Sequence, residues 1–144
     1  MKKILIHSLT FPPDTISTGM IVSEIADGLN KELNNIEVLA SSPQYNLKSA
    51  QEYNQNDKNI SVGMFKGIKV HYIESNPRQF SNSSRFFQWL GFNFKAIRFI
   101  YKNRKDYKEI LIFSYPPTMN LVCIFTTKIL KINTIYSLWE LYPE

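Results

Sequence analysis

Residues 2–10 read KKILIHSLT and residues 11–19 read FPPDTISTG, and a helical pattern follows from Met20. A short apolar run, a loop with two prolines, one glycine and an amphipathic segment predict the first strand, loop and helix of an open α/β sheet. In such folds ligands bind where the carboxyl ends of the strands meet the amino ends of the helices. The first loop is therefore the first place where a binding site is expected.

The rest of the chain alternates between helical and strand patterns. Apolar side chains recur with a helical period from Val22 to Leu33, which predicts a helix over 19–34. Lys66-Gly67 separates two apolar runs and predicts a hairpin turn. Strands are predicted over 4–8, 36–40, 60–65, 68–73, 110–113 and 133–138, further helices over 85–104 and 118–130, a long polar loop over 41–59 and a linker over 75–84.

This order of elements predicts a single domain over 1–144. The fold class is α/β: a Rossmann-like open, mostly parallel sheet with helices on both faces and one β-hairpin. Apolar runs are too short for a membrane span, and the amino terminus does not have the pattern of a secretory signal. A reducing, cytoplasmic compartment is expected, because Cys123 is the one cysteine and is interpreted as a small buried hydrophobic residue.

Few residues have the types and spacing that metal binding requires. The two histidines, His7 and His71, each lie inside a predicted strand and are interpreted as structural or pocket-edge residues. No metal and no cofactor are expected. Neither the G-x-G-x-x-G pattern nor a phosphate-binding lysine loop is present, which argues against a small nucleotide-binding or response-type domain.

The net charge of +5 is unevenly distributed, because the segment from Arg78 to Lys108 contains eight basic residues and one acid, Asp106. The helix predicted there has an apolar arc wider than packing on one sheet face requires. Aromatic side chains beside basic ones suit a membrane interface or a lipid-linked substrate, and a core helix with a solvated basic edge is the alternative. Nucleic acid is not an expected partner. The candidate residues of this surface are Arg85, Trp89, Lys95, Arg98 and Lys102.

Three loops follow predicted strands and contain candidate binding residues. Ser17, Thr18 and Gly19 begin the first helix, where free amide groups suit an anion, although a capped helix explains them equally well. Ser114 to Thr118 (SYPPT) follows the most apolar strand, and its prolines also suit a plain strand-to-helix turn. Trp139 to Glu144 (WELYPE) contains the carboxylates of Glu140 and Glu144, which are otherwise solvated charges.

Taken together, FPPD at 11–14, SYPP at 114–117 and ELYPE at 140–144 resemble motifs of the amino-terminal half of family-4-type glycosyltransferases. These enzymes have the GT-B fold and are common in capsule and O-antigen assembly. The motifs occur in the family's order, and the resemblance covers nearly the whole chain. The chain differs from the family pattern at Thr18-Gly19, where a glycine pair is usual, and at Glu140, where aspartate is usual.

The resemblance implies retaining transfer of a sugar from a nucleotide-sugar to a lipid-linked or saccharide acceptor in cell-surface polysaccharide synthesis. It implies that this half binds the acceptor, whereas a carboxyl-terminal domain, which this sequence does not contain, holds the nucleotide-sugar. No catalytic residue is expected here, and the chain is not expected to transfer sugar alone. A peripheral position at the inner face of the membrane is compatible with this function.

The resemblance also implies residue roles. Ser17, Thr18 and Gly19 would approach the donor diphosphate. The residues implied to contact the acceptor or sugar are Asp14, Ser114, Tyr115, Glu140 and Glu144. The alternative function is a non-catalytic binding module that docks on a membrane or on a partner protein.

Overall fold

The computed structural model describes residues 2–44, 54–57, 60–75 and 81–138. Within these ranges, seven strands form one sheet in the order β3-β4-β5-β2-β1-β6-β7. The strands are β1 (Lys3–His7), β2 (Ile36–Ser41), β3 (Asn54–Asp57), β4 (Ile60–Phe65), β5 (Ile68–Ile73), β6 (Tyr107–Phe113) and β7 (Asn133–Ser137). The helices are α1 (Ser17–Leu33), α2 (Asn82–Lys102) and α3 (Met119–Ile124), and a π-helical segment, Phe125–Ile129, continues α3.

The sheet confirms the predicted α/β, Rossmann-like class. Strands β5, β2, β1, β6 and β7 are parallel, whereas β3 and β4 join antiparallel at the β5 edge. β1 lies in the middle and pairs with β2 on one side and β6 on the other. The order of connections therefore reverses between β1 and β6, and this is the place where open α/β sheets bind ligands.

Two apolar layers, one on each face of the sheet, form the core. Ile4 and Ile6 of β1 pack with Val22 and Ala26 of α1 on one face. Leu5, between them, lies on the other face in a cluster with side chains of α2 and α3. Because successive strand side chains alternate between faces, one apolar strand supplies both layers, as a central parallel strand must.

The hairpin and the end of α1 lie where the sequence predicts them. Lys66 and Gly67 have positive φ angles of 46° and 81°, the left-handed conformation that a two-residue hairpin turn requires. Asn34 ends α1 with φ 49°, and its amide donates to the carbonyl oxygen of Asn30. α1 begins at Ser17, two residues before the predicted start.

The prediction of a loop over 41–59 is wrong at two places. β2 continues to Ser41, and Asn54–Asp57 forms the edge strand β3, which pairs antiparallel with β4. The residues of β3 are all polar, so no alternation of apolar side chains signals a strand. This strand is defined by its backbone hydrogen bonds to β4, the outer strand of the hairpin. Such hydrogen bonds leave no pattern in the sequence of side chains.

Both later helices differ from their predicted ranges. α2 spans Asn82–Lys102, so Arg104 and Lys105 follow the helix instead of extending it. The helix predicted over 118–130 is α3 followed by the π-helical segment. There the Thr126 and Thr127 hydroxyls donate to the Cys123 carbonyl oxygen at 3.0 and 2.7 Å, which accompanies the wider turn. Cys123 is half-buried, not fully buried as predicted, because α3 lies at the surface of the sheet.

At the amino ends of the strands, the buried Glu37 carboxylate accepts hydrogen bonds from three side chains. Lys3 Nζ and His71 Nε2 contact it, the latter at 3.1 Å, and the Tyr107 hydroxyl donates to Oε2 at 2.9 Å. Burial alone would raise the pKa of Glu37, but these hydrogen bonds outweigh burial and lower it to about 2. Burial and the neighbouring carboxylate raise the pKa of Tyr107. We call these four residues the Glu37 cluster.

Candidate functional site

The loop after β1 is fixed to the sheet at several points. Phe11 is 1% exposed and lies in the core with α1. The Tyr72 hydroxyl donates to the Pro12 carbonyl oxygen, and the Gln44 amide donates to Asp14 Oδ2 at 2.8 Å. Asp14 is 2% exposed, so the structure places its carboxylate inside the loop, and its acceptor contact stays a prediction. These anchors fix the conformation of the first loop.

Close packing of this same loop favours a glycine at position 19. A Cβ atom on Gly19 would lie 3.2 Å from the Asp14 carbonyl oxygen and 3.5 Å from the Phe11 amide nitrogen. The space above Gly19 is thus filled by the chain's own backbone, which accounts for a glycine here without a ligand.

The other two residues predicted to approach a donor phosphate lie at the start of the helix. Ile16 is the N-cap residue, and no side chain caps the helix. Thr18 Oγ1 lies 3.2 Å from Thr10 Oγ1 and ties the helix to the first loop, whereas Ser17 is exposed. The intrahelical ladder begins at the Met20 amide, so the amides before it belong to the unpaired first turn. Their contact with a phosphate stays a prediction.

The loop after β6 contacts the amino-terminal half of α2. The ring of Tyr115, half-buried, meets the ring of Trp89 edge to face with centroids 6.0 Å apart. The Arg85 guanidinium carbon lies 5.2 Å from the centroid of the Trp89 ring. The sequence predicts that Tyr115 contacts the acceptor or sugar and that Arg85 and Trp89 belong to a membrane or lipid-acceptor surface. The structure brings these three residues together. We call them the Arg85–Trp89–Tyr115 stack.

A cleft opens between the end of β5 and α2, and its lining residues on α2 come from the same part of the helix as Arg85 and Trp89. Its volume is about 710 Å³. Lys95 Nζ donates to the Glu74 carbonyl oxygen at 2.7 Å on one side, and Gln88 Nε2 donates to Ser75 Oγ at 3.3 Å on the other. We call it the β5–α2 cleft; its lining residues are Glu74, Ser75, Ser84, Phe87, Gln88, Gly91, Phe92 and Lys95.

Aromatic faces, hydroxyls, an amide and an ammonium group are the donors and surfaces that bind a polar ring such as a sugar. Ser75 and Phe92 were not predicted as site residues, because they become neighbours only when α2 folds over the end of β5.

His7 lies behind Phe92 at the end of β1. The two rings are stacked with centroids 5.4 Å apart, and the imidazole has no exposed surface. Burial lowers the pKa of His7 to about 4, although a hydrogen bond with the Leu39 carbonyl oxygen opposes this shift. Because that oxygen can only accept, Nδ1 carries the proton, and no described side chain or backbone group contacts Nε2. His7 is thus a neutral group at the inner edge of the site.

The other predicted surface residues point away from this cluster. Arg98 and Lys102 are exposed on α2, beyond Lys95. Ser114 is 8% exposed, and its amide donates to the Ser137 carbonyl oxygen, so it lies at the base of the second loop. Glu140 and Glu144 fall outside the described residues.

A second depression lies between α2 and α3, and it is apolar. Its volume is about 250 Å³, and we call it the α2–α3 groove; its lining residues are Leu90, Asn93, Phe94, Ile97, Leu121, Ile124, Phe125 and Ile129. Asn93 is 1% exposed, and neither atom of its amide has a partner among the residues that the structure describes. A buried amide without partners is costly.

Replacing Asn93 with Leu removes an unpartnered buried amide and keeps the number and branching of the side-chain heavy atoms. We expect the free energy of unfolding to rise by about 1 kcal/mol, measured by urea denaturation. The matched control is Asn103→Leu, because the Asn103 side chain donates to the Phe99 carbonyl oxygen at 2.9 Å and its loss should destabilise α2. A destabilised Asn93→Leu protein would show that the amide has a partner, such as buried water.

Within the described segments, no three His, Cys, Asp or Glu side chains come together in a way that could hold a metal ion. The same segments contain no helix with the length and apolar content to cross a membrane. A scan of protein-family models and a search of curated proteins found no match to this chain.

Proposed function

We propose that this domain is the acceptor-binding half of a retaining glycosyltransferase of the GT-B type, acting in cell-surface polysaccharide synthesis. The observation that carries the proposal is that one helix, α2, supplies both Arg85 and Trp89 of the stack and most of the lining of the β5–α2 cleft. The third member of the stack, Tyr115, follows β6, next to the point where the order of the sheet reverses. The motif resemblance supports the function, because FPPD at 11–14, SYPP at 114–117 and ELYPE at 140–144 occur in the family's order. Tyr115 itself is the residue inserted relative to the family's Ser-Pro-Pro loop, so its role rests on the stack alone. The acceptor is a saccharide or a lipid-linked saccharide.

In this proposal the chain's own residues bind and orient the acceptor. The rings of Trp89 and Tyr115 offer apolar faces to a sugar ring, whereas Gln88 and Ser75 offer hydrogen bonds to hydroxyls. Lys95 and Arg85 supply positive charge for a phosphate on a lipid-linked acceptor. A second domain, in the same polypeptide or in a partner, would hold the nucleotide-sugar and complete the site. We propose that the assembled enzyme works in the cytoplasm.

Simple methyl glycosides test acceptor binding by the chain alone. We expect the methyl glycosides of glucose, galactose and N-acetylglucosamine to shift the NMR signals of Trp89, Gln88 and Tyr115. We expect Tyr115→Ala to weaken this binding about fivefold, since one aromatic contact contributes about 1 kcal/mol. The matched control is Tyr101→Ala, because Arg104 lies over Tyr101 at 4.6 Å in a similar pair at the other end of α2. Shifts confined to residues outside both the Arg85–Trp89–Tyr115 stack and the β5–α2 cleft would contradict the proposal.

Transfer assays test the half-enzyme proposal separately. The chain incubated with nucleotide-sugars and glycoside acceptors should give no transfer, and addition of a carboxyl-terminal nucleotide-sugar domain should restore it. Glu140→Ala should then reduce transfer in the reconstituted enzyme. Robust transfer by the chain alone would overturn this proposal.

A non-catalytic docking module is the second candidate, because the exposed basic and apolar side chains of α2 can bind another surface without taking part in a reaction. It predicts surface binding without any glycoside response in the cleft. The glycoside titration therefore discriminates between the two candidates.

A further inference from the structure

The helices α2 and α3 expose apolar side chains along the groove between them. Phe94 is 66% exposed, Ile124 57% and Ile129 65%, and Leu121 is also exposed. These side chains project from both rims of the α2–α3 groove. Large apolar side chains that protrude together mark an interaction surface, because a solvated monomer gains nothing from exposing them.

The charge of these helices has one sign. Neither α2 nor the stretch from Met119 to Ile129 contains an aspartate or glutamate. On each side of the groove an exposed apolar side chain precedes an exposed cation by four positions: Phe94 precedes Arg98 on α2, and Ile124 precedes Lys128 across the groove. Residues four apart are neighbours on a helix surface, so each rim presents an apolar group beside a positive one.

We propose that the α2–α3 groove and its rims form a docking surface for an anionic lipid bilayer. The protruding apolar side chains would enter the boundary between headgroups and acyl chains, while Arg98 and Lys128 would contact lipid phosphates. α2 and the stretch from Met119 to Ile129 carry basic side chains and no acidic ones, so the charge of this surface is complementary to that of an anionic bilayer. A groove of about 250 Å³ is shallow for a partner helix, so a deformable bilayer fits the protruding side chains better.

This surface differs from the one that the sequence predicts. Of the residues predicted there, Arg85 and Trp89 belong to the stack and Lys95 lines the β5–α2 cleft, whereas Arg98 stays on the rim. Acceptor cleft and bilayer surface thus lie along the same helix. The inference rests on the proposed function, because a lipid-linked acceptor is the reason why this domain would need a bilayer. Its test uses neither a donor nor an acceptor.

Flotation of the full chain with vesicles tests the surface. We expect binding to vesicles of phosphatidylcholine with phosphatidylglycerol, weaker binding at high salt, and little binding to phosphatidylcholine alone. The Arg98→Glu, Lys128→Glu variant should bind about tenfold more weakly or worse, since each cation near an anionic surface contributes about 1 kcal/mol. Phe94→Ser with Ile124→Ser should lose binding at all salt concentrations.

Matched controls use exposed residues away from the groove. Lys69→Glu and Ile21→Ser lie on β5 and α1 and should bind vesicles as the unmodified chain does. Circular dichroism shows whether each variant folds. If a double variant does not fold, the single variant Lys128→Gln replaces it in the vesicle test. A chain that does not bind anionic vesicles, or rim variants that bind as well as the controls, would overturn the inference. Binding to an acidic helical peptide in place of vesicles would assign the groove to a protein partner and also overturn it.

The result of the vesicle test can be distinguished from the result of the test of the proposed function. Rim variants should keep the response of the β5–α2 cleft to methyl glycosides, whereas Tyr115→Ala should lose that response and keep vesicle binding. Loss of glycoside binding with intact vesicle binding would refute the acceptor role alone.

Discussion

We expect Glu37→Gln to lower the free energy of unfolding at pH 7 by about 3 kcal/mol, because the substitution leaves the other members of the buried Glu37 cluster without their anion. The Glu37 side chain is 7% exposed, and Lys3, at 44%, is the one partner that water can reach easily. Urea denaturation measures the change. Glu32→Gln is the matched control, because Glu32 is exposed on α1, and it should change stability by less than about 0.5 kcal/mol.

The same substitution should change the acid sensitivity of the protein. The pKa of Glu37 is lowered from 4.5 to about 2 in the fold, so its contribution is complete above pH 4.5 and is lost as the pH falls towards 2. With allowance for solvent screening, that contribution is about 2 kcal/mol. The difference in the free energy of unfolding between the unmodified protein and Glu37→Gln should therefore shrink as the pH falls from 4.5 to 2. A difference that stays constant down to pH 2 would contradict a charged Glu37 in the folded protein.

We expect Phe92→Ala to destabilise the protein by about 3 kcal/mol, because Phe92 is 2% exposed and its loss leaves a cavity against His7. Opening that cavity to the β5–α2 cleft should also admit water to the imidazole. The pKa of His7 should then rise from about 4 towards its ordinary 6.5. NMR titration measures it, and with two histidines in the chain the signals are readily assigned.

Phe94→Ala is the matched control, since Phe94 is 66% exposed and does not cover His7. Phe94→Ala should lower the free energy of unfolding by less than about 1 kcal/mol and leave the pKa of His7 unchanged. In the unmodified protein the lowered pKa means that stability falls as the pH drops from 6.5 to about 4, because the unfolded chain binds the proton more tightly. A His7 pKa that stays near 4 in Phe92→Ala would show that something other than this ring keeps water out. Phe92→Leu allows the same measurement if the alanine variant does not fold.

Much of the fold could be predicted from local patterns. The helical period between Val22 and Leu33 and the Lys66-Gly67 turn identify α1 and the β4–β5 hairpin, and the structure confirms both. Patterns of this kind work because each depends on neighbours a few residues apart. β3 shows the limit: its polar residues become a strand through pairing with β4 alone.

The candidate site was less predictable, because its residues meet through tertiary packing. Trp89 and Tyr115 come from a helix and a loop, and nothing in either segment encodes their contact. The Glu37 cluster is similar, since the register of β2 against β5 and the start of β6 bring His71 and Tyr107 to Glu37. The loops after β1 and β6 follow strands, as the sequence predicts, whereas residues 139–144 fall outside the described part of the chain. The sequence pattern assigns five residues of α2 to one surface, but the structure separates them, because tertiary packing sets which side of α2 faces the sheet.

The central position of β1 has a consequence for biosynthesis. β1 is made before its two partners, β2, which begins at residue 36, and β6, which begins at residue 107. Throughout the synthesis of the segment between β2 and β6, one edge of β1, whose middle three residues are apolar, has no partner, a state that favours aggregation. A nascent chain that stalls before Tyr107 is thus a natural client for chaperones. Translation past that residue is what first allows the sheet to close around its centre.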